Sequence, residues 1–199
     1  MRTTGLRKSG ISAYRCTQRI IETYRAATPE TIARGLAWYG DALDVALTMT
    51  ELDDTLTLEA AAAVIAAYSP QLPWVANKRA ALTFARSGSR EAGVMNSSHD
   101  RATRVCGQAD PISALNPIGR APKIESFARN IMGDTDSVTI DVWAVRVALG
   151  DRDDADKILA RRNVYRDLAD CYRKAAAELG VAPSAVQAVT WCQIRGRAD

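Results

Sequence analysis

The stretch LNPIGRAPKIESFARNIMGDTDSVTIDVWAVRVALG, residues 115–150, decides how the chain is read. Ile124, Phe127, Ala128 and Ile131 recur at i, i+3, i+4 and i+7, the period of a helix with one buried face. Pro122 suits the first turn of that helix, where its missing N–H has no helical partner, and Gly133 suits the stop. Gly119 makes the turn that leads in. After a polar break, Asp141 opens the run Val142 to Leu149, in which Arg146 is the one charge. That run predicts a core helix capped by Asp141, whose carboxylate can accept backbone N–H bonds there. Lys123 falls at the positive end of the first helix, where the dipole disfavours an ammonium and so favours a nucleophilic amine. The sequence therefore predicts two helices with an ionisable residue at the start of each. Lys123 also fits a first-turn surface lysine and Asp141 a purely structural cap.

Working outward, helices are expected from Ile11 to about Ala26, with Tyr14, Ile21 and Tyr24 as apolar contacts, and from Pro29 to Leu47, with Ile32, Leu36, Leu43 and Leu47 on helical spacing as its apolar face. Thr57 can cap the alanine-rich run LEAAAAVIAAY, which is apolar enough to be buried and stops at Pro70. Another helix starts near Pro73 or Trp74 and reaches Arg86. Residues 90–114 offer only a short helix at 100–106 and a turn after Asp110-Pro111. Asn163 can cap a helix through Leu179, with Val164, Leu168, Cys171 and Ala175 on one face and Gly180 as its stop. Pro183 and Ser184 open a last helix through Val186, Val189 and Trp191. The first ten residues, with Arg2, Arg7 and Lys8, read as a loose basic arm. No run alternates as a strand does, so an all-α fold is expected.

Composition narrows the class. With 199 residues, 47% of them hydrophobic, the chain can bury a sizeable core, and one domain of two lobes is expected. No apolar run approaches the roughly 20 residues of a membrane span, and the N-terminal residues lack the apolar segment of a signal peptide. A protein of the cytoplasm with no membrane partner is the expectation. A formal net charge of +3 permits a nucleic-acid partner without demanding one. Cys16, Cys106, Cys171 and Cys192 have no paired spacing, so reduced buried thiols are expected and neither a metal nor an iron–sulfur cluster is. His99, in NSSHD, reads as a surface-loop residue.

The turn, Lys123, the amphipathic helix and an aspartate opening an apolar helix resemble the helix-hairpin-helix DNA glycosylases, in particular the endonuclease III branch. In that branch the corresponding lysine and aspartate are catalytic and lie as far apart in sequence as Lys123 and Asp141. A second block, AVIAAYSPQLPWVANKRAALTFA (residues 63–85), resembles the family's early helix, loop and helix. The resemblance assigns DNA contacts to Ser69, Gln71, Asn77 and Lys78, with Gln71 filling the gap left by an extruded nucleotide. An ordinary interhelical loop with Ser69 and Gln71 as caps fits that block as well. A third block, AVQAVTWCQIRGR (residues 185–197), resembles the helix and arginine-bearing turn near the family's C-terminus.

The hairpin departs from the family pattern. Asn116, Pro117, Ile118, Gly119 and Arg120 contain one glycine where two are usual, and Pro117 removes a backbone donor that would grip phosphate. Gly119 and Arg120 remain candidate DNA contacts, Arg120 supplying charge. Trp74 and Trp143 could stack on an extruded base or pack in the core. Arg146 could support Asp141 or face phosphate.

The resemblance implies a two-lobed glycosylase-like fold, a central lobe at about 58–150 and a second lobe from about 11–56 plus 156–199, acting as a monomer on double-stranded DNA. The implied reaction is N-glycosidic cleavage at a flipped base, with possible lyase action through Lys123 and Asp141. SPQLPW and QAVTW also resemble glycosylase-related bacteriophage proteins linked to thymine hypermodification, where an activated hydroxymethyl-pyrimidine is substituted instead of excised. A non-catalytic DNA-binding module that keeps the hairpin is the third expectation.

Overall fold

The computed structural model describes residues 4–150 and 153–196. Among them the structure is all-helical, with α1 Thr4–Lys8, α2 Ala13–Arg25, α3 Pro29–Leu52, α4 Leu58–Tyr68, α5 Trp74–Ser87, α6 Asn96–Cys106, α7 Pro111–Ala114, α8 Pro122–Ile131, α9 Val142–Leu149, α10 Ala155–Leu159, α11 Val164–Leu179 and α12 Pro183–Arg195. None of these helices is long and apolar enough to cross a membrane. The chain divides into two compact units, one of Met1–Trp38 with Asp134–Ala198 and one of Tyr39–Gly133.

The second unit is organised around α4. Ala60 through Tyr68 are all buried, so beyond the exposed Glu59 of its first turn this helix has no solvent face, as its apolar composition predicts. Thr57 caps it, its Oγ1 accepting from the Ala60 N–H at 3.1 Å. Alanine side chains let α5, α6, α7 and α8 approach its axis closely. α8 contributes Ile124, Phe127, Ala128 and Ile131, the four residues that its period marked. His99 lies on α6 and not in a surface loop. Its Nδ1 is 2.9 Å from the Tyr68 hydroxyl, and its ring stacks on Tyr68 and meets the edge of Phe84.

In the first unit α2, α9, α11 and α12 pack around Ile20, Ile21, Val145, Leu168, Tyr172 and Val186. The division of the chain differs from the sequence expectation at this point. α9 belongs with the terminal helices and not with the region before it, because Ala144, Val145, Val147 and Ala148 are buried against α2, α10 and α12. The boundary therefore falls after Gly133 and not at Gly150.

The basic-arm expectation is corrected as well. Thr4–Lys8 is a helix, Leu6 is fully buried, and the Asp167 carboxylate accepts the N–H groups of Gly5 and Leu6 at 2.6 and 3.1 Å. Arg7 and Lys8 remain exposed, and Arg2 lies outside the described residues. A buried carboxylate bonded to two backbone donors satisfies groups that would otherwise be stranded without water.

The buried faces of α2 and α3 also differ from expectation. Tyr14 is exposed, and α2 buries Cys16, Thr17, Ile20 and Ile21. Leu36 and Leu47 are exposed, while Thr31, Gly35, Ala42, Ala46 and Met49 carry the buried side of α3. Gly35 permits a close approach there: a methyl on it would stand 2.5 Å from Val189 Cα on α12. Gly35→Ala is thus expected to destabilise the protein by about 3 kcal/mol, since backbone and not a flexible side chain must yield. For a chain of this length that lowers the melting temperature by roughly 6–12 °C. Gly40→Ala, on the same helix with nothing within 4 Å of the added methyl, is the control and is expected to be neutral or stabilising.

Candidate functional site

Asp141 is fixed from three directions within the first unit. The extended residues before it are pinned by Tyr165 of α11, whose hydroxyl donates to the Val138 carbonyl at 2.9 Å and accepts from the Ile140 N–H at 3.2 Å. Val138 and Ile140 are buried, so the chain enters α9 on a rigid lead. Asp141 then caps α9, its Oδ1 accepting from the Ala144 N–H at 2.8 Å. The third fixing point comes from α12, where the Trp191 indole Nε1–H donates to Oδ2 at 3.1 Å. The side chain is only half-buried, so a group at its edge can reach it.

Around this carboxylate stand aromatic rings and guanidinium groups. Trp191 lies 5.1 Å from Trp38, their planes 36° apart, and the Arg195 guanidinium covers the Trp191 ring at 4.7 Å. On α9 itself, Arg146 covers the Trp143 ring at 4.6 Å. Trp143 is half-buried, so this pair reaches the surface.

The second unit carries the hairpin and the lysine. Asn116 builds the turn: its Oδ1 accepts from the Ala121 N–H at 2.6 Å and its Nδ2 donates to Glu125 at 2.8 Å. Glu125 also binds Arg129 at 2.9 Å. Gly119 takes φ +69°, which a side chain would resist, and its N–H bonds the Asn116 carbonyl at 3.1 Å. This closure leaves Pro117, Ile118, Gly119 and Arg120 as an exposed tip, with Ile118 72% exposed. Lys123, in the first turn of α8, is half-buried just beyond the tip.

The loop between α4 and α5 is also displayed. Ser69 ends α4, its Oγ donating to the Ala66 carbonyl at 2.8 Å, and Gln71 is exposed with φ +61°. A glutamine in the left-handed region is strained by the clash of its Cβ with the backbone. Gln71→Gly is expected to raise stability by about 0.5–1 kcal/mol. Relief of roughly 1–2 kcal/mol of strain is offset in part by the freer unfolded chain, and thermal denaturation reads the difference.

The other residues marked by sequence have definite places. Asn77 is 1% exposed, and its Nδ2 donates to the Ile65 carbonyl at 3.1 Å, tying α5 to the C-terminal part of α4. Its contact is thus internal and not with solvent. Trp74 is buried, and the Lys78 ammonium sits 5.7 Å from its ring. Ser69 and Gln71 share one loop, Lys78 and Trp74 one contact, Trp143 and Arg146 another. Lys123 and the Gln71 loop belong to the second unit, and Asp141 belongs to the first.

Sequence reasoning missed the role of Trp191, although the residue lay in a stretch already marked, because its partner is 50 positions away and no local pattern records the bond. It missed the bracing by Asn116 for a different reason. Asparagine before a turn is a local signal, but which groups its side chain reaches, the Ala121 N–H and the Glu125 carboxylate, is set by how the turn closes. Among the described residues no group of histidines, cysteines and carboxylates is placed to hold a metal ion. The four thiols are free, with Cys16, Cys171 and Cys192 buried. Burial and the nearby charge of Asp53 push the Cys106 thiol up to about 11.

Compared with known proteins, the chain matches the family described as "Family of unknown function (DUF7178)" over residues 3–198. It belongs to that family. No curated protein and no solved structure matches it.

Proposed function

We propose that this protein acts on a base of double-stranded DNA, as a DNA N-glycosylase with the two-lobed helix-hairpin-helix architecture. The observation that carries the reading is the hairpin: a braced tip displaying Ile118, Gly119 and Arg120, followed directly by a half-buried lysine at the start of a helix. Pro117 has no N–H and the Gly119 and Ala121 N–H groups are bonded to Asn116, so the Arg120 side chain is the group at this turn that suits a phosphate, and an amine one turn beyond suits attack on the adjoining sugar. The exposed, strained Gln71 supports the same reading, since an enzyme that extrudes a base needs a side chain to fill the gap.

In this mechanism the Lys123 amine attacks the anomeric carbon, the base leaves with the electrons of the N-glycosidic bond, and loss of a proton from nitrogen opens the way to a Schiff base. The Asp141 carboxylate stabilises positive charge developing on the sugar and helps to take up that proton. Strand cleavage then follows from the Schiff base.

The test is incubation with a panel of duplexes carrying damaged and modified bases, read for nicking and for the mass of released and retained nucleosides. Free base and abasic sites are expected. A heavier nucleoside in the duplex would instead indicate substitution at the base, and salt-dependent binding with no product would leave a binding module.

A further inference from the structure

We infer that Trp191 is a positioning residue for the Asp141 carboxylate. The inference rests on the proposed role of Asp141 at the reacting sugar. An N-cap bond restrains one carboxylate oxygen, as Ala144 does for Oδ1, and leaves the other free to swing about it. Trp191 removes that freedom with a donor from a different helix, 3.1 Å from Oδ2. Two donors on two helices fix the plane of the group, as a charge-stabilising carboxylate must be fixed before the charge develops.

The indole is itself held. Trp38 flanks the ring at 5.1 Å and the Arg195 guanidinium covers it at 4.7 Å, so three helices, α3, α9 and α12, meet at this one hydrogen bond. Arg195 on the π-face also polarises the indole, which strengthens its N–H as a donor. A tryptophan placed only to fill space needs any partner for its N–H. This one has a carboxylate, at the helix start that the chemistry needs.

Trp191→Phe keeps the ring against Trp38 and Arg195 and deletes only the donor. In single-turnover reactions on a duplex that the wild type processes, base release is expected to slow about 10-fold while KM and duplex affinity hold. In an Asp141→Asn background the same substitution is expected to slow base release no further, because the two residues act through one interaction. Trp38→Phe, which loosens the support but leaves the donor in place, is expected to slow release about 3-fold at unchanged KM. It carries the test if the Trp191 variant does not fold.

The roles of Asp141 and of Trp191 fail on different outcomes. A wild type that releases no base from any duplex removes the reading of Asp141 and this inference with it. A wild type that does release base, with Trp191→Phe equally active, with duplex affinity and rate falling together, or with the same loss in the Asp141→Asn background, overturns the role of Trp191 alone. If only the Trp38 variant folds, an unchanged rate overturns it.

Discussion

Lys123→Ala is expected to abolish the covalent protein–DNA adduct that borohydride traps and to lower strand nicking on the order of 10³-fold or more, the scale on which loss of a nucleophile acts. The expectation follows from the placement of the amine. It stands in the first turn of α8, where backbone N–H groups point outward and Ala121 offers no side-chain cap. The acidic residue of that turn, Glu125, is engaged by Asn116 and Arg129. Lys123→Arg separates chemistry from charge. A guanidinium can hold the same phosphate but does not lose its proton, so duplex affinity should persist while the adduct disappears. An adduct that survives either substitution would assign the nucleophile to another amine.

Asp141→Asn is expected to slow base release by roughly 10²–10³-fold, the effect of withdrawing one preorganised electrostatic group from a transition state. Asparagine caps helices nearly as well as aspartate, so α9 should keep its start and duplex binding should hold. The substitution has a second effect. The amide NH2 would face the Trp191 indole N–H if its oxygen kept the bond from Ala144, and two donors cannot pair. A loss of about 1 kcal/mol in thermal stability is therefore expected alongside the slower chemistry. Unchanged rates of base release would instead make Asp141 a structural cap, a role that asparagine fills as well.

Many of the helices were legible from local pattern. Ile124, Phe127, Ala128 and Ile131 are buried as their spacing requires, Thr57 and Asp141 cap the helices that they precede, and Gly88 and Gly180 end theirs in the left-handed region. The short helices were not legible. α1 has five residues and one buried apolar side chain, Leu6, and α10 is no longer. Segments of that length carry too few turns for a period to show and are marginal without tertiary support. For α1 that support includes Asp167, more than 160 positions away.

Sequence by itself determined that the chain is all-helical and that a lysine and an aspartate each begin a helix, because periodicity, proline and cap chemistry act within a few residues. Tertiary structure alone decided which face of α3 is buried, since Gly35 and the alanines are chosen for what they let approach and not for their own hydrophobicity. It also decided that Asn77 turns inward to Ile65, that Gln71 is held in a strained conformation on the outside, and that Asp141 receives its second donor from Trp191. Such bonds join residues distant in sequence, and only the packing of helices brings their donors and acceptors within reach.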